Sequence, residues 1–475
     1  MNSFIRRTDF IKNRTQLNYK KTMKISNLIF ALIIITILSC KKEKEVNYLI
    51  FSGTVENPII DSFPILDIDN KTIHTIHLDE NNSFNDTISA SKGYYYLIDR
   101  QNLIGLFLSP SMNLNSTISY KENVPSLLFQ KSGANENNYL QKKIELIRGL
   151  EKVENYKYFL NLNEVDFLKL TDSIKIVKTN FLTSQENLDN DFLLFESFAL
   201  ENEKTSFLQK YQKWRGEFIK DPDFRVSNKY PNPFEKIDVS NEKLLAHPYF
   251  LQYLKDFISS KMDDNTTIDK SLNELETIDR EIKNQKIKDK LAYENTKFGI
   301  SQTKKLDEVY KKYMEIVENK VYREDIEETY SNFKKISKGT ISPTFELYDI
   351  NNNLVTLESL RGKLVYIDIW ATWCIPCINE IPALKELESE FKNKNIQFVS
   401  ICLKDSKEQF EKMVKEKKLG GIQLFAPDEN ITFFKDYFLS GIPRFILIDK
   451  NGKIIESNAF YPSNPKLKEQ ILEYL

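Results

Sequence analysis

Near the end of the chain an apolar run, Leu364 to Ile369, interrupted only by Asp368, leads within a few residues into Trp373-Cys374-Ile375-Pro376-Cys377. A helical pattern from Ile378 to Phe391 follows at once. A Cys-x-x-Cys pair between a strand and a helix is a redox motif. The placement matters because a cysteine attacks a disulfide as thiolate, and amides at a helix N-terminus stabilise negative sulfur. A thiol with pKa of about 8.5 is about 3% ionised at pH 7, whereas one tuned to about 7 is half ionised. Lowering the pKa also weakens the nucleophile, so a value near ambient pH serves best. Pro376 removes an amide hydrogen in the first helical turn, where no helical bond is lost.

The flanking pattern predicts an α/β sandwich. Ile396 to Cys402 reads as a strand, Lys407 to Lys417 as a helix, and Phe445–Ile448 with Lys453–Ile455 as two strands joined at Asp449-Lys450-Asn451-Gly452. A helix over Lys466 to Leu475 closes the chain.

Ile369-Trp370-Ala371-Thr372-Trp373-Cys374-Ile375-Pro376-Cys377, followed by Glu380-Ile381-Pro382, resembles the thioredoxin superfamily and within it the TlpA/ResA-like thiol-disulfide oxidoreductases. The resemblance covers residues 342–475. It implies that Cys374 is the exposed attacking thiolate and Cys377 the resolving thiol. It also implies that Asp368, six residues before Cys374, is the buried acid that takes the proton of Cys377. Glu380, three residues after Cys377, matches the branch's acidic residue near the site, and Gly441-Ile442-Pro443 matches the loop with a cis proline facing the disulfide. Such a loop would offer the Ile442 backbone to an extended substrate segment.

An unpaired buried carboxylate has a raised pKa, which suits a base working near neutrality. Otherwise Asp368 is a strand acid at a solvated edge, and Glu380 a solvent-facing helix acid. Trp373 is either a wall of the substrate surface or packing. Cys402 reads as a buried, inert thiol. The strand lysine that cytosolic thioredoxins place near their buried acid is missing, with Ser400 or a neighbour in its place.

Upstream, 475 residues at roughly 150 per domain suggest about three units. Residues 48–131 carry short β-like runs separated by Asp69-Asn70 and Glu80-Asn81-Asn82, a small all-β sandwich or meander. The arrangement looks like an N-terminal domain of unknown function fused to thioredoxin modules in Bacteroidota lipoproteins. Residues 132–335 have helical spacing, little glycine, and proline confined to Asp221 to Pro248. The hydrophilic Lys334 to Gly339 leads into a thioredoxin-like domain over 338–475. The expected fold class is therefore multidomain: an N-terminal β sandwich, a mostly α-helical middle and a C-terminal α/β thioredoxin fold.

Met23 and Lys24 precede an apolar run, Leu28 to Leu38, and then Ser39-Cys40. As a helix the run is about 16 Å long against a hydrocarbon core of about 30 Å, so residues 23–39 read as an export signal. Ile37-Leu38-Ser39-Cys40 resembles a bacterial lipobox, which implies diacylation of Cys40. Residues 1–22 make an overlong basic start and read as an extension ahead of the true initiator. Residues 40–47 form a tether, whose Lys41 to Glu45 is either an outer-membrane lipoprotein export signal or a solvated linker. The implied location is the cell envelope, lipid-anchored, facing the periplasm or on the outer membrane.

A formal net charge of -1 removes the whole-chain electrostatic case for nucleic-acid binding. Zinc would need two ligands beyond the cysteine pair, and the chain offers His74, His77, His247 and Cys402. His74 and His77 point to opposite faces of a strand. A peroxiredoxin-type site would need proline and threonine or serine where Ile367 and Ala371 stand. No cofactor beyond a Cys374–Cys377 disulfide is expected. The resemblance implies disulfide or dithiol proteins as substrates and a membrane electron donor. The remaining alternatives are disulfide isomerase and an envelope interaction lipoprotein using the module as scaffold.

Overall fold

The computed structural model describes residues 47–475 except 101, 122–123, 264–267, 429–430 and 440. The proposed extension, signal peptide and lipidated Cys40 lie outside the described residues. The described residues divide into two compact units, one ending at Tyr230 and the other running from Pro231 to Leu475.

Among the described residues of the first unit, eight strands precede four helices: β1 (Tyr48–Glu56), β2 (Ser62–Leu66), β3 (Thr72–His77), β4 (Ser83–Ser89), β5 (Gly93–Asp99), β6 (Asn102–Leu108), β7 (Asn113–Lys121) and β8 (Val124–Lys131). They form two four-stranded sheets, ordered β4-β1-β7-β8 and β3-β2-β5-β6. Alternate residues of β1, among them Leu49, Phe51 and Val55, point into one apolar core shared with Ile65 and Leu97 of the other sheet. The pairing of β1 with β7 is parallel, so it requires a crossover rather than a hairpin.

Helices α1 (Ala134–Glu154), α2 (Tyr156–Asn161), α3 (Glu164–Thr183) and α4 (Asn190–Phe218) follow. Asn137 on α1 donates to and accepts from the Phe107 backbone, both at 2.9 Å, and Asn138 does the same to Phe129 at 2.8 Å. Two side-chain amides thus satisfy strand groups as another strand would. Buried Glu196 on α4 accepts from Tyr94 (2.6 Å), Tyr139 (3.0 Å) and Lys143 (2.7 Å).

Among the described residues the second unit begins with a short 3-10 helix (Glu242–Ala246) and then five α-helices: α5 (Phe250–Lys261), α6 (Lys270–Glu281), α7 (Gln285–Gly299), α8 (Leu306–Ile316) and α9 (Lys320–Lys335). Asp269, Asn284 and Asn319 start α6, α7 and α9 by accepting first-turn amides. The helical stretch expected as one region is therefore divided between the two units, at the proline-bearing segment after Asp221.

A seven-stranded sheet completes this unit, ordered β10-β9-β13-β12-β11-β14-β15. Its strands are β9 (Glu346–Asp349), β10 (Leu354–Thr356), β11 (Leu364–Trp370), β12 (Ile396–Leu403), β13 (Ile422–Ala426), β14 (Arg444–Ile448) and β15 (Ile454–Glu456). Its helices are α10 (Ile375–Glu390), α11 (Lys407–Lys417), α12 (Thr432–Asp436) and α13 (Pro465–Tyr474). The Lys334 to Gly339 stretch is anchored by fully buried Ile336, and Gly339 N–H donates to the Ile454 carbonyl at 2.7 Å. Among the described residues no helix is long and apolar enough to cross a membrane.

Candidate active site

Strand β11 is buried along its whole length, and its pleat sorts its side chains. Val365, Ile367 and Ile369 enter the core on one face of the sheet, whereas Leu364 and Tyr366 pack on the other with Leu384 and Leu387 of α10. Parity puts Asp368 on the α10 side. It pairs in register with Ser400 of β12, which pairs with Gln423 of β13. A polar row thus crosses three strands beneath the helix that carries Cys377.

Cys374 is the N-cap of α10, and its sulfur accepts the Cys377 amide at 3.3 Å. Helix formation and sulfur placement are therefore one local event. The two cysteines are joined as a disulfide, with Cα atoms 5.3 Å apart. The expectation of an exposed Cys374 needs correction for this oxidised form, because Cys374 and Cys377 are each only 5% exposed. The joined cysteines pack in a buried cluster with Trp370, Ala371 and Phe410.

Asp368 lies in the interior, not at a solvated edge. Burial is the main cause that lifts its carboxyl from an ordinary 3.8 to about 7, with the Ser400 hydroxyl at 3.5 Å opposing and the Glu388 and Glu380 charges adding to it. Asp368 and Cys377 line one small cavity. Glu380 turns elsewhere: its carboxylate accepts the Ser463 amide and hydroxyl, both at 2.9 Å.

Trp373 is 58% exposed, and its indole N–H donates to the Lys404 carbonyl at 3.0 Å. The Ile442-Pro443 peptide is cis, and Ile442 packs against the cysteine cluster. Cys402 is fully buried, where burial first and then Asp405 push its thiol far up. Among the described residues no group of three or more His, Cys, Asp or Glu is arranged to hold a metal.

Two residues escaped the sequence reading. Asp405 accepts the Thr372 amide at 2.6 Å and so fastens the approach to Cys374, a contact across 33 positions with no local signature. Glu388 lines the cavity with Asp368. A signal for it existed, since Glu388 is eleven residues after Cys377 and so falls on the same face of α10.

The Redoxin family profile matches residues 337–473. The thiol-disulfide oxidoreductase ResA of Bacillus cereus is 30% identical over 146 residues, 31% of this chain and 81% of that protein. Its Bacillus subtilis counterpart is 28% identical over 127 residues, covering 27% and 70%. Among solved structures, the thioredoxin domain of a thiol-disulfide oxidoreductase from Bacteroides vulgatus is 25% identical, covering 29% of this chain and 97% of that one, with a TM-score of 0.27. The chain belongs to the ResA-like thiol-disulfide oxidoreductases of the thioredoxin superfamily, and it is an oxidoreductase with a thioredoxin-like C-terminal domain.

Proposed function

We propose that the chain reduces disulfides in exported proteins, anchored in the cell envelope by a lipid on Cys40 and re-reduced by a membrane electron donor. The reading rests on one arrangement: a Cys374–Cys377 disulfide at the start of α10, with Asp368 in the cavity behind Cys377. Reduced Cys374 attacks one substrate sulfur as thiolate, and the other leaves as a thiolate with the electron pair of the broken S–S bond, to be protonated by water. Cys377 then attacks Cys374, the mixed disulfide breaks, and the second substrate sulfur departs with the electron pair while the Cys377 proton passes to Asp368. Two electrons move from the cysteine pair to the substrate, leaving the enzyme oxidised.

In this reading Trp373, Ile442 and Pro443 form the substrate-facing surface, and Glu380 shapes it by holding the Ser463 segment rather than by transferring protons. Residues 48–335 would position the module or select its clients.

Insulin reduction driven by dithiothreitol tests the proposal. Cys374→Ser abolishes turnover, and Cys377→Ser stalls as a covalent mixed disulfide visible on a non-reducing gel. Turnover that survives Cys374→Ser refutes it. A reduction potential near about -270 mV fits a reductase, and one near about -120 mV an oxidase.

A further inference from the structure

Glu388 stands where a helix facing a sheet ordinarily carries an apolar side chain. From Cys377, residues Ile381, Leu384 and Glu388 follow at four, seven and eleven positions, one stripe of an α-helix. All four line the cavity that Asp368 and Ser400 close from the sheet. The cavity offers about 10 Å³ to the centre of a water-sized sphere, room for roughly one water. Glu388 Oε1 is buried with no hydrogen-bond partner among the described residues.

The surroundings make space for this carboxylate. A Cβ on Gly420 would stand 2.2 Å from Glu388 Oε2, and one on Gly421 2.9 Å from Oε1. Two consecutive glycines thus leave the acid its place.

We propose that Glu388 is a positioning residue that acts through Asp368, receiving the proton that Asp368 takes from Cys377 and handing it on toward solvent. This rests on the resolving step described under the proposed function. In that step the Cys377 sulfur bonds to Cys374, the bond from Cys374 to the substrate sulfur breaks, and the leaving sulfur takes the electron pair. The proton goes to the Asp368 carboxylate, then to Glu388, and Asp368 is ready for another cycle.

The ionisable groups lining the cavity are Asp368 from β11 and Cys377, Lys385 and Glu388 from α10. Sheet residues Ser400 and Gln423 add neutral polar groups. Lys385 directs its ammonium to the Lys417 carbonyl at 2.7 Å. Burial lifts Glu388 to about 7, with Lys385 opposing, which is where Asp368 also lies. Each carboxyl is thus raised toward neutrality, where it can both take and release a proton.

The test uses the full chain carrying Cys40→Ser and, as probe, the aryl disulfide dithiobis(nitrobenzoate). The first thionitrobenzoate released reports attack by Cys374, and the second reports attack by Cys377 on the mixed disulfide. Both phases are followed from about pH 5 to about pH 9. The first phase serves as the folding control. Glu388→Gln is expected to move the midpoint of the second phase to lower pH by about 0.5 unit or more, because a like charge leaves Asp368. It is also expected to lower the plateau about threefold or more through loss of the relay. Gly420→Ala, which displaces the carboxylate without deleting it, gives the same pattern, whereas Glu388→Asp stays closer to the parent. An unchanged second phase in both Glu388→Gln and Gly420→Ala, with Asp368→Asn still slow, overturns the relay. If Asp368→Asn also leaves that phase unchanged, the proton role of Asp368 fails first and the relay with it.

Discussion

Replacing Asp368 by Asn separates the energetic cost of the buried acid from its chemical use. In the oxidised protein its carboxyl is raised from 3.8 to about 7, which corresponds to roughly 4 kcal/mol of penalty on the ionised form. Because the folded value lies above the unfolded one, the native state holds an extra proton between about pH 4 and about pH 7. Stability therefore falls as pH rises through that window, and the penalty is fully present above it. Asn carries no titrating group and keeps a similar shape. The two oxidised proteins should be equally stable near pH 4, while at pH 8 Asp368→Asn should be the more stable by up to roughly 4 kcal/mol.

Urea unfolding followed through Trp370 and Trp373, which lie just before the cysteine pair, measures this difference against pH. Glu388 titrates in both proteins, so the difference reports Asp368 together with its charge coupling to Glu388. A difference that stays flat within about 0.5 kcal/mol between those pH values would show that Asp368 is not raised, and the case for it as a base near neutrality would go with it. The stabilised variant should nonetheless resolve mixed disulfides more slowly, so stability and turnover would move in opposite directions.

Glu380→Ala removes both acceptors of Ser463, and hydrogen exchange at the Ser463 amide should accelerate by about tenfold, equivalent to roughly 1.4 kcal/mol of lost charge-assisted bonding. No change in exchange would mean that the carboxylate does not hold this segment. In the first unit, Glu196→Ala strips Tyr94, Tyr139 and Lys143 of their common acceptor, and the denaturation midpoint of that unit should drop with a loss of about 3 kcal/mol. A loss below about 1 kcal/mol would show that water replaces the acceptor without penalty.

Much of the catalytic element could be read before any fold was known, because its parts are local. A strand, a cap, a proline in the first turn and a three-residue spacing between sulfurs are close neighbours along the chain. Period-two alternation along β11 also puts Asp368 and Tyr366 on the same side, though not which side faces α10. The short strands β9, β10 and β13 were not foreseen, since runs of three to five residues carry little pattern of their own. The break between units falls in the proline-bearing stretch inside what the sequence reads as one helical region, because nothing local says that the helices after it share a unit with a sheet a hundred residues on.

What the sequence by itself determined is the reaction chemistry: two sulfurs at the start of a helix, an acid one strand behind them, and a family that exchanges disulfides. Tertiary structure alone decided which distant groups surround that chemistry. Ser463 reaches Glu380 across 83 positions, Asp405 reaches Thr372 across 33, and Gly420 leaves room for Glu388 only because β12 and β13 pair beneath α10. The physical reason is that capping and pleating are set by neighbouring torsions, whereas burial, and with it the proton affinity of Asp368, is set by whatever the rest of the chain packs around it.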